Sequence, residues 1–253
     1  MGLEVVAQSD LQPGLASIVE PDATLAELVI ACPALAARLD ARGLDYCCGG
    51  QRSLASAVSA AGLDLAVIMA ELGAPITEVG TEPVWEGIGG LVDHLEATHH
   101  AYLHEALPRL VALADKVAGV HGANHPELTD VAGLVQEIRA DLEPHLRKEE
   151  QVLFPMIREL ATASAAPDFH CGTLANPIRV MMSEHDTAGE LLVRLRISAN
   201  GYQVPDDGCA SYRALYSGLA ELEADTHLHV HTENNVLFPA VLETEHALAP
   251  ALQ

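Results

Sequence analysis

Aromatic side chains are scarce in this sequence, at 4% of its 253 residues. Sheets depend on aromatic and β-branched cross-strand pairs, whereas Ala and Leu favour packed helices. An apolar fraction of 49%, much of it Ala, Leu and Val, therefore points to an all-α chain with enough core to bury. Positive charge is equally scarce: 13 Lys and Arg face 36 Asp and Glu, a formal charge of −23. A surface of that sign repels nucleic acid and anionic membranes. It is read first as a solubilising surface, and the loose pull it exerts on cations does not define a metal site. No apolar run reaches the ~18 residues of a membrane span. The opening MGLEVVAQSDLQPG lacks the basic-then-apolar order of a signal peptide, and Val6 does not fit myristoylation. Cysteine is sparse and odd in number (Cys32, Cys47, Cys48, Cys171 and Cys209), which excludes a disulfide framework and implies a reducing cytoplasm.

What the chain does have is a duplication. Residues 145–155 read HLRKEEQVLFP and residues 229–239 read HVHTENNVLFP, a constant offset of 84. Each copy carries His-x-x-x-Glu followed by Val-Leu-Phe-Pro. Positions i and i+4 share a helix face, so each copy aims one imidazole and one carboxylate at the same point. Two such helices facing each other surround one volume with two His and two Glu.

Helical patterns fill the rest. Short ones are expected near 24–31, 34–42, 53–61 and 64–72, the first opened by a Thr24/Glu27 capping box. Glycines punctuate them, giving a small helical domain over 18–74 and a Gly/Pro linker over 75–83. Four long amphipathic patterns follow, near 84–118, 127–162, 176–199 and 209–247. Short breaks between them favour an antiparallel four-helix bundle over 84–248. Pro155 and Pro239 are expected to kink the second and fourth helices past the Glu of each copy.

Each His-x-x-x-Glu helix has an upstream partner with a candidate His. His94 lies in LVDHLEATHH and His185 in MMSEHDTAGELL. His94 is about ten residues into its helix, roughly 15 Å along, a level compatible with the others. The expected metal ligands are therefore His94, His145, Glu149, His185, His229 and Glu233. His100 is placed beside the site, as an outer or entry residue. Mixed imidazole and carboxylate ligation with open positions suits two iron or manganese ions bridged by the carboxylates, and zinc is compatible.

These motifs resemble the hemerythrin-like superfamily and, within it, the repair-of-iron-centres family. The resemblance covers nearly the whole chain. It rests on LDYCCGG (44–50), DH (93–94), HxxxEEQxLFP (145–155), SEHDxAGELL (183–192) and HxxxENNxLFP (229–239). It implies two non-haem iron ions, carboxylate- and oxo-bridged, on the six ligands above. The implied role is repair of iron–sulfur clusters after nitric oxide or oxidative damage, by donation of labile iron. Oxygen-carrying hemerythrins use five His where four fit here, which would hold iron less tightly. Damaged iron–sulfur proteins or an assembly scaffold would be the partners, NO or O2 the small ligands, and a homodimer stays open. Nitric oxide reduction to N2O, or O2/NO sensing, are the competing readings.

Cys47 and Cys48 have two readings. One is a pair of small residues before a glycine turn. The other is a soft thiol pair, set at a turn tip by Gly43, Gly49 and Gly50, that accepts iron, reacts with nitric oxide or reduces the metal centre.

Overall fold

The computed structural model describes residues 18–76 and 85–249. They belong to two compact units, one ending at Glu82 and one beginning at Pro83. Residues 77–83 of the expected linker lie outside the described set, as do residues 1–17. Among the described residues no strand forms; the only pairings of that kind are two isolated bridges, Thr24 with Ser53 and Phe169 with Gly172.

Among its described residues the small unit has four named short helices: α1 (Leu25–Ala31), α2 (Leu35–Asp40), α3 (Leu54–Ala60) and α4 (Leu65–Leu72). Their starts follow capping chemistry. Thr24 accepts from the Glu27 N–H at 3.1 Å while the Glu27 carboxylate accepts from the Thr24 N–H at 2.8 Å. Ser53 caps α3 and Asp64 caps α4. The last carbonyls of α4 have no helical partner, and Arg38 supplies one. Its guanidinium donates to the carbonyls of Glu71, Leu72, Ala74 and Pro75 at 2.7–3.0 Å.

The larger unit is a bundle of four long helices. The first comprises α5 (Gly87–Leu95), a π-helical turn (Glu96–His100) and α6 (Ala101–His121). The second is α7 (Glu127–Lys148), a π turn (Glu149–Leu153) and α8 (Phe154–Thr162). The third is α9 (Ala175–Ser198), and the fourth is α10 (Ala210–Thr232), a π turn (Glu233–Leu237) and α11 (Phe238–Leu248). Each helix packs on the next and the fourth closes on the first. The start of the first lies beside the end of the second, as antiparallel neighbours must.

The expected proline kinks take a specific form. The turn before each proline widens: the Phe154 N–H donates to the carbonyl of Glu149 and that of Phe238 to Glu233, five residues back. Pro155 and Pro239 then fall in the first turn of the next α segment, where a missing N–H is tolerated. An interior proline thus becomes a first-turn proline, and the Glu of each repeat, Glu149 and Glu233, opens a π turn.

Two apolar layers fill the bundle. One draws on Leu103–Val117, Leu128–Leu146, Ala188–Ala199 and Tyr212–Leu222. The other draws on Leu91–Leu95, Leu153–Leu160, Phe169–Met181 and Leu237–Val241. Along every helix the buried His and Glu side chains fall between these layers.

Candidate metal centre

Four imidazoles and two carboxylates meet in that intermediate layer, in two overlapping groups. His145, Glu149, His185 and Glu233 form one; His100, Glu149, His229 and Glu233 form the other. Both carboxylates are common to both groups. Glu149 and Glu233 are fully buried, at 0% exposure.

Five of the six expected residues are therefore brought together, and His94 is not among them. Its place is taken by His100, six residues on. Six residues advance a helix by about 9 Å and turn it to another face, so the two His cannot serve the same position. His94 instead stacks on Trp85, ring centroids 5.5 Å apart. His100 closes the π turn of the first helix and is 1% exposed, with Nε2 3.2 Å from His229 Nε2 and 3.5 Å from Glu149 Oε2. An α-helical count of levels does not anticipate a π turn, which is why the sequence favoured the earlier His.

The interatomic distances fit cations. His145 Nε2 and His185 Nε2 lie 3.1 Å apart, and the Nε2 of each of the four clustered His is 3.1–3.5 Å from a carboxylate oxygen. Two nitrogens each about 2.1 Å from one ion, at a right angle, would be about 3.0 Å apart. None of the four oxygens of Glu149 and Glu233 accepts a hydrogen bond. Burying a carboxylate costs several kcal/mol unless it is paired, and only imidazole nitrogens face these two, so this layer is built for positive charge.

The electrostatics agree. Burial opposes a charge on His145, but Glu149, Glu233 and Glu184 together outweigh it and push the pKa up to about 9. His229 is likewise raised against burial by Glu233. Burial also works against an ionised Glu233, yet His229 and His185 hold it well below the usual carboxylate range. His100 moves the other way, lowered by burial and by His229. Protons thus occupy the seats that metal ions would take.

Outer contacts orient the rings. Nδ1 of His145 faces Glu184 at 2.9 Å, Nδ1 of His185 faces Asn234 at 2.9 Å, and Nδ1 of His100 faces Glu150 at 3.0 Å. An Nδ1–H donated to these oxygens leaves Nε2 with its lone pair toward the centre. The duplicated Phe residues form part of the wall: Phe154 stacks on His100 at 5.2 Å and Phe238 on His185 at 6.0 Å. The duplication also runs one turn further than His-x-x-x-Glu. Asp141 and Asp225 precede His145 and His229 by four residues, and each has a buried oxygen without a hydrogen bond. The constant offset of 84 was the signal that could have found them.

In the small unit, the Cys-Cys-Gly-Gly segment is wound around Asp45. That carboxylate accepts from the N–H groups of Cys47, Cys48 and Gly49 at 2.9–3.0 Å. A Cβ on Gly49 would meet the Asp45 carbonyl at 2.9 Å, so only glycine fits there. The thiols do not stand at an exposed tip. Cys47 is 6% exposed and donates to Asp45 at 3.1 Å, and Cys48 is half-buried, with its sulfur 3.9 Å from that of Cys47. The neighbouring Cys48, burial and Asp45 all push the Cys47 pKa well above its ordinary value. The three hydrogen bonds to Asp45 draw the loop inward, which accounts for the difference.

Residues 91–241 match the hemerythrin HHE cation binding domain, and residues 21–75 match a domain of unknown function, DUF542. The iron–sulfur cluster repair protein YtfE of Escherichia coli O157:H7 is 37% identical over 226 residues, covering 88% of this chain and 98% of that protein. The protein of the same name from Shigella boydii serotype 4 is 36% identical over the same shares. The chain belongs to the repair-of-iron-centres family. Within that family's two-part organisation, the cation binding domain is the bundle that carries the six-residue cluster. No helix among the described residues is long and apolar enough to cross a membrane.

Proposed function

We propose that the chain holds two iron ions between its four imidazoles and two shared carboxylates, and uses them to repair damaged iron–sulfur clusters by giving up iron. The observation that carries this reading is the sharing of Glu149 and Glu233 between the two groups, which suits a pair of carboxylate-bridged ions. The named role of the relatives, iron–sulfur cluster repair, supports the destination of the iron. Nitric oxide and oxidative stress are the forms of damage for which the repair is proposed.

When bound, the ions would supply exchangeable, redox-active metal with coordination positions left open to small ligands. The chain's own residues do the rest. Glu149 and Glu233 set the charge, and Glu150, Glu184 and Asn234 fix the tautomers of three rings. Phe154 and Phe238 pack against two of those rings. In the small unit Cys47 is buried against Asp45 while Cys48 is half-buried, so Cys48 is the more accessible thiol for chemistry toward iron or nitric oxide.

The test is iron content of protein from iron-supplied cells, beside Glu149→Leu/Glu233→Leu. Two irons per chain, absent from the variant, are expected. The reduced, loaded protein should restore an iron–sulfur enzyme inactivated by nitric oxide, and the variant should not. Zinc or no metal, unchanged in the variant, would sink the two-iron reading; full loading without restoration would sink the repair role.

A further inference from the structure

The two halves of the cluster are related by the duplication, and their outer contacts differ. In the first group both rings are anchored: Glu184 holds His145 and Asn234 holds His185, each at 2.9 Å. Glu184 uses Oε2 for His145 and leaves Oε1 to the Lys148 ammonium, so each partner has its own oxygen. In the second group Glu150 offers a single oxygen, Oε1, to both His100 at 3.0 Å and the half-exposed His104 at 2.7 Å. His229, 1% exposed, has an Nδ1 with no hydrogen-bond partner at all.

The cause lies at one position. Glu184 immediately precedes His185, and His99 immediately precedes His100. The residue that should hold His229, as Glu184 holds His145, is therefore His99. Its ring lies flat on that of His229, centroids 5.5 Å apart and planes 8° apart, a geometry that offers no edge-on hydrogen bond. His99 Nδ1 faces Asp225 instead, at 2.8 Å. The lysine that braces Glu184 also has no counterpart, since position 232 is Thr.

A ring held at Nδ1 is a stronger and better-aimed ligand, and losing such a partner typically costs 10- to 100-fold in metal affinity. We propose that the two metal positions are unequal: the ion between His100 and His229 is the exchangeable one, and the ion between His145 and His185 is retained. This rests on the two-ion reading above. It assigns donation to one defined half of the cluster.

The experiment loads the full chain anaerobically with iron(II) and challenges it with an excess of a chromogenic iron(II) chelator. Two phases of one equivalent each are expected, their rates about 10- to 100-fold apart. His99→Glu should give His229 its missing carboxylate and slow the fast phase. Asn234→Ala and Glu184→Gln should speed the slow phase and leave the fast one unchanged. None of these three residues belongs to the six-residue cluster, and circular dichroism melts confirm that each variant folds. Release of two equivalents in one phase overturns the inequality and leaves the two-ion site standing. A fast phase untouched by His99→Glu but altered by Asn234→Ala overturns the assignment. Fewer than two equivalents in the unaltered chain overturns the two-ion reading and this inference with it.

Discussion

At the scale of the residue, the difference between His94 and His100 is the decisive one. His100→Ala is expected to lose one of two bound metal equivalents by elemental analysis, while His94→Ala keeps both, because only His100 lies within reach of Glu149 and His229. Four of the six clustered residues were legible from the i, i+4 duplication, and His185 from its acidic neighbour and its spacing. His100 was not, because reading it requires knowing that Glu96–His100 winds as a π turn, and nothing in EATHH announces one. A second residue-level expectation concerns Cys209, at the start of α10. The backbone N–H groups of Tyr212 and Ser211, with the ring of His121, lower its pKa to about 7. Its alkylation rate, followed by peptide mass mapping, should be half-maximal near pH 7 and fall about tenfold per unit below that. His121→Ala should move the midpoint upward, and an unmoved midpoint would rule out the imidazole's part.

At the scale of the element, local chemistry and periodicity placed the helices well. The Thr24/Glu27 box opens α1 as read, and the four bundle patterns correspond to Gly87–His121, Glu127–Thr162, Ala175–Ser198 and Ala210–Leu248. What periodicity could not supply was the interruption inside three of them. A proline announces that an α-helical hydrogen bond is missing, but not whether the chain bends or widens around the gap. Long-range caps were equally hidden, since Arg38 reaches residues more than thirty positions away. Its four carbonyl contacts predict that Arg38→Ala destabilises the small unit by about 1.5–3 kcal/mol, the range for hydrogen bonds to a charged group. A urea melt followed on the isolated residues 18–76 would be ambiguous, so amide exchange in α4 within the full chain is the suitable measure. Unchanged protection there would contradict the capping role.

At the scale of the whole molecule, pH acts on the metal-free and metal-loaded states in opposite directions. Against burial, Glu149 with Glu233 and Glu184 pushes the folded His145 pKa up to about 9 from an ordinary 6.5. The stability this contributes is complete below pH ~6.5 and is lost as pH rises through ~9. Metal binding must expel that proton, so affinity grows over the same interval. Melting of the metal-free protein should therefore weaken between pH 6.5 and 9, while the gap between loaded and metal-free melting temperatures widens. A constant gap would show that no proton is exchanged for metal. The chain's acidity, −23 overall, did not reveal any of this, because the controlling charges are two buried carboxylates rather than the many exposed ones.

The layering of the bundle has a mechanical consequence. The apolar floors above and below the cluster hold themselves together, but the plane between them carries two buried carboxylates facing only imidazoles, and three widened turns. On the two-ion reading, bound ions would rivet that plane, and loss of the exchangeable one would loosen it. On the iron-donation reading, delivery and loosening of the middle of the molecule would be one event. A spent copy would then differ from a charged one in its susceptibility to proteases, and the lifetime of each molecule would keep a record of whether its cargo had been delivered.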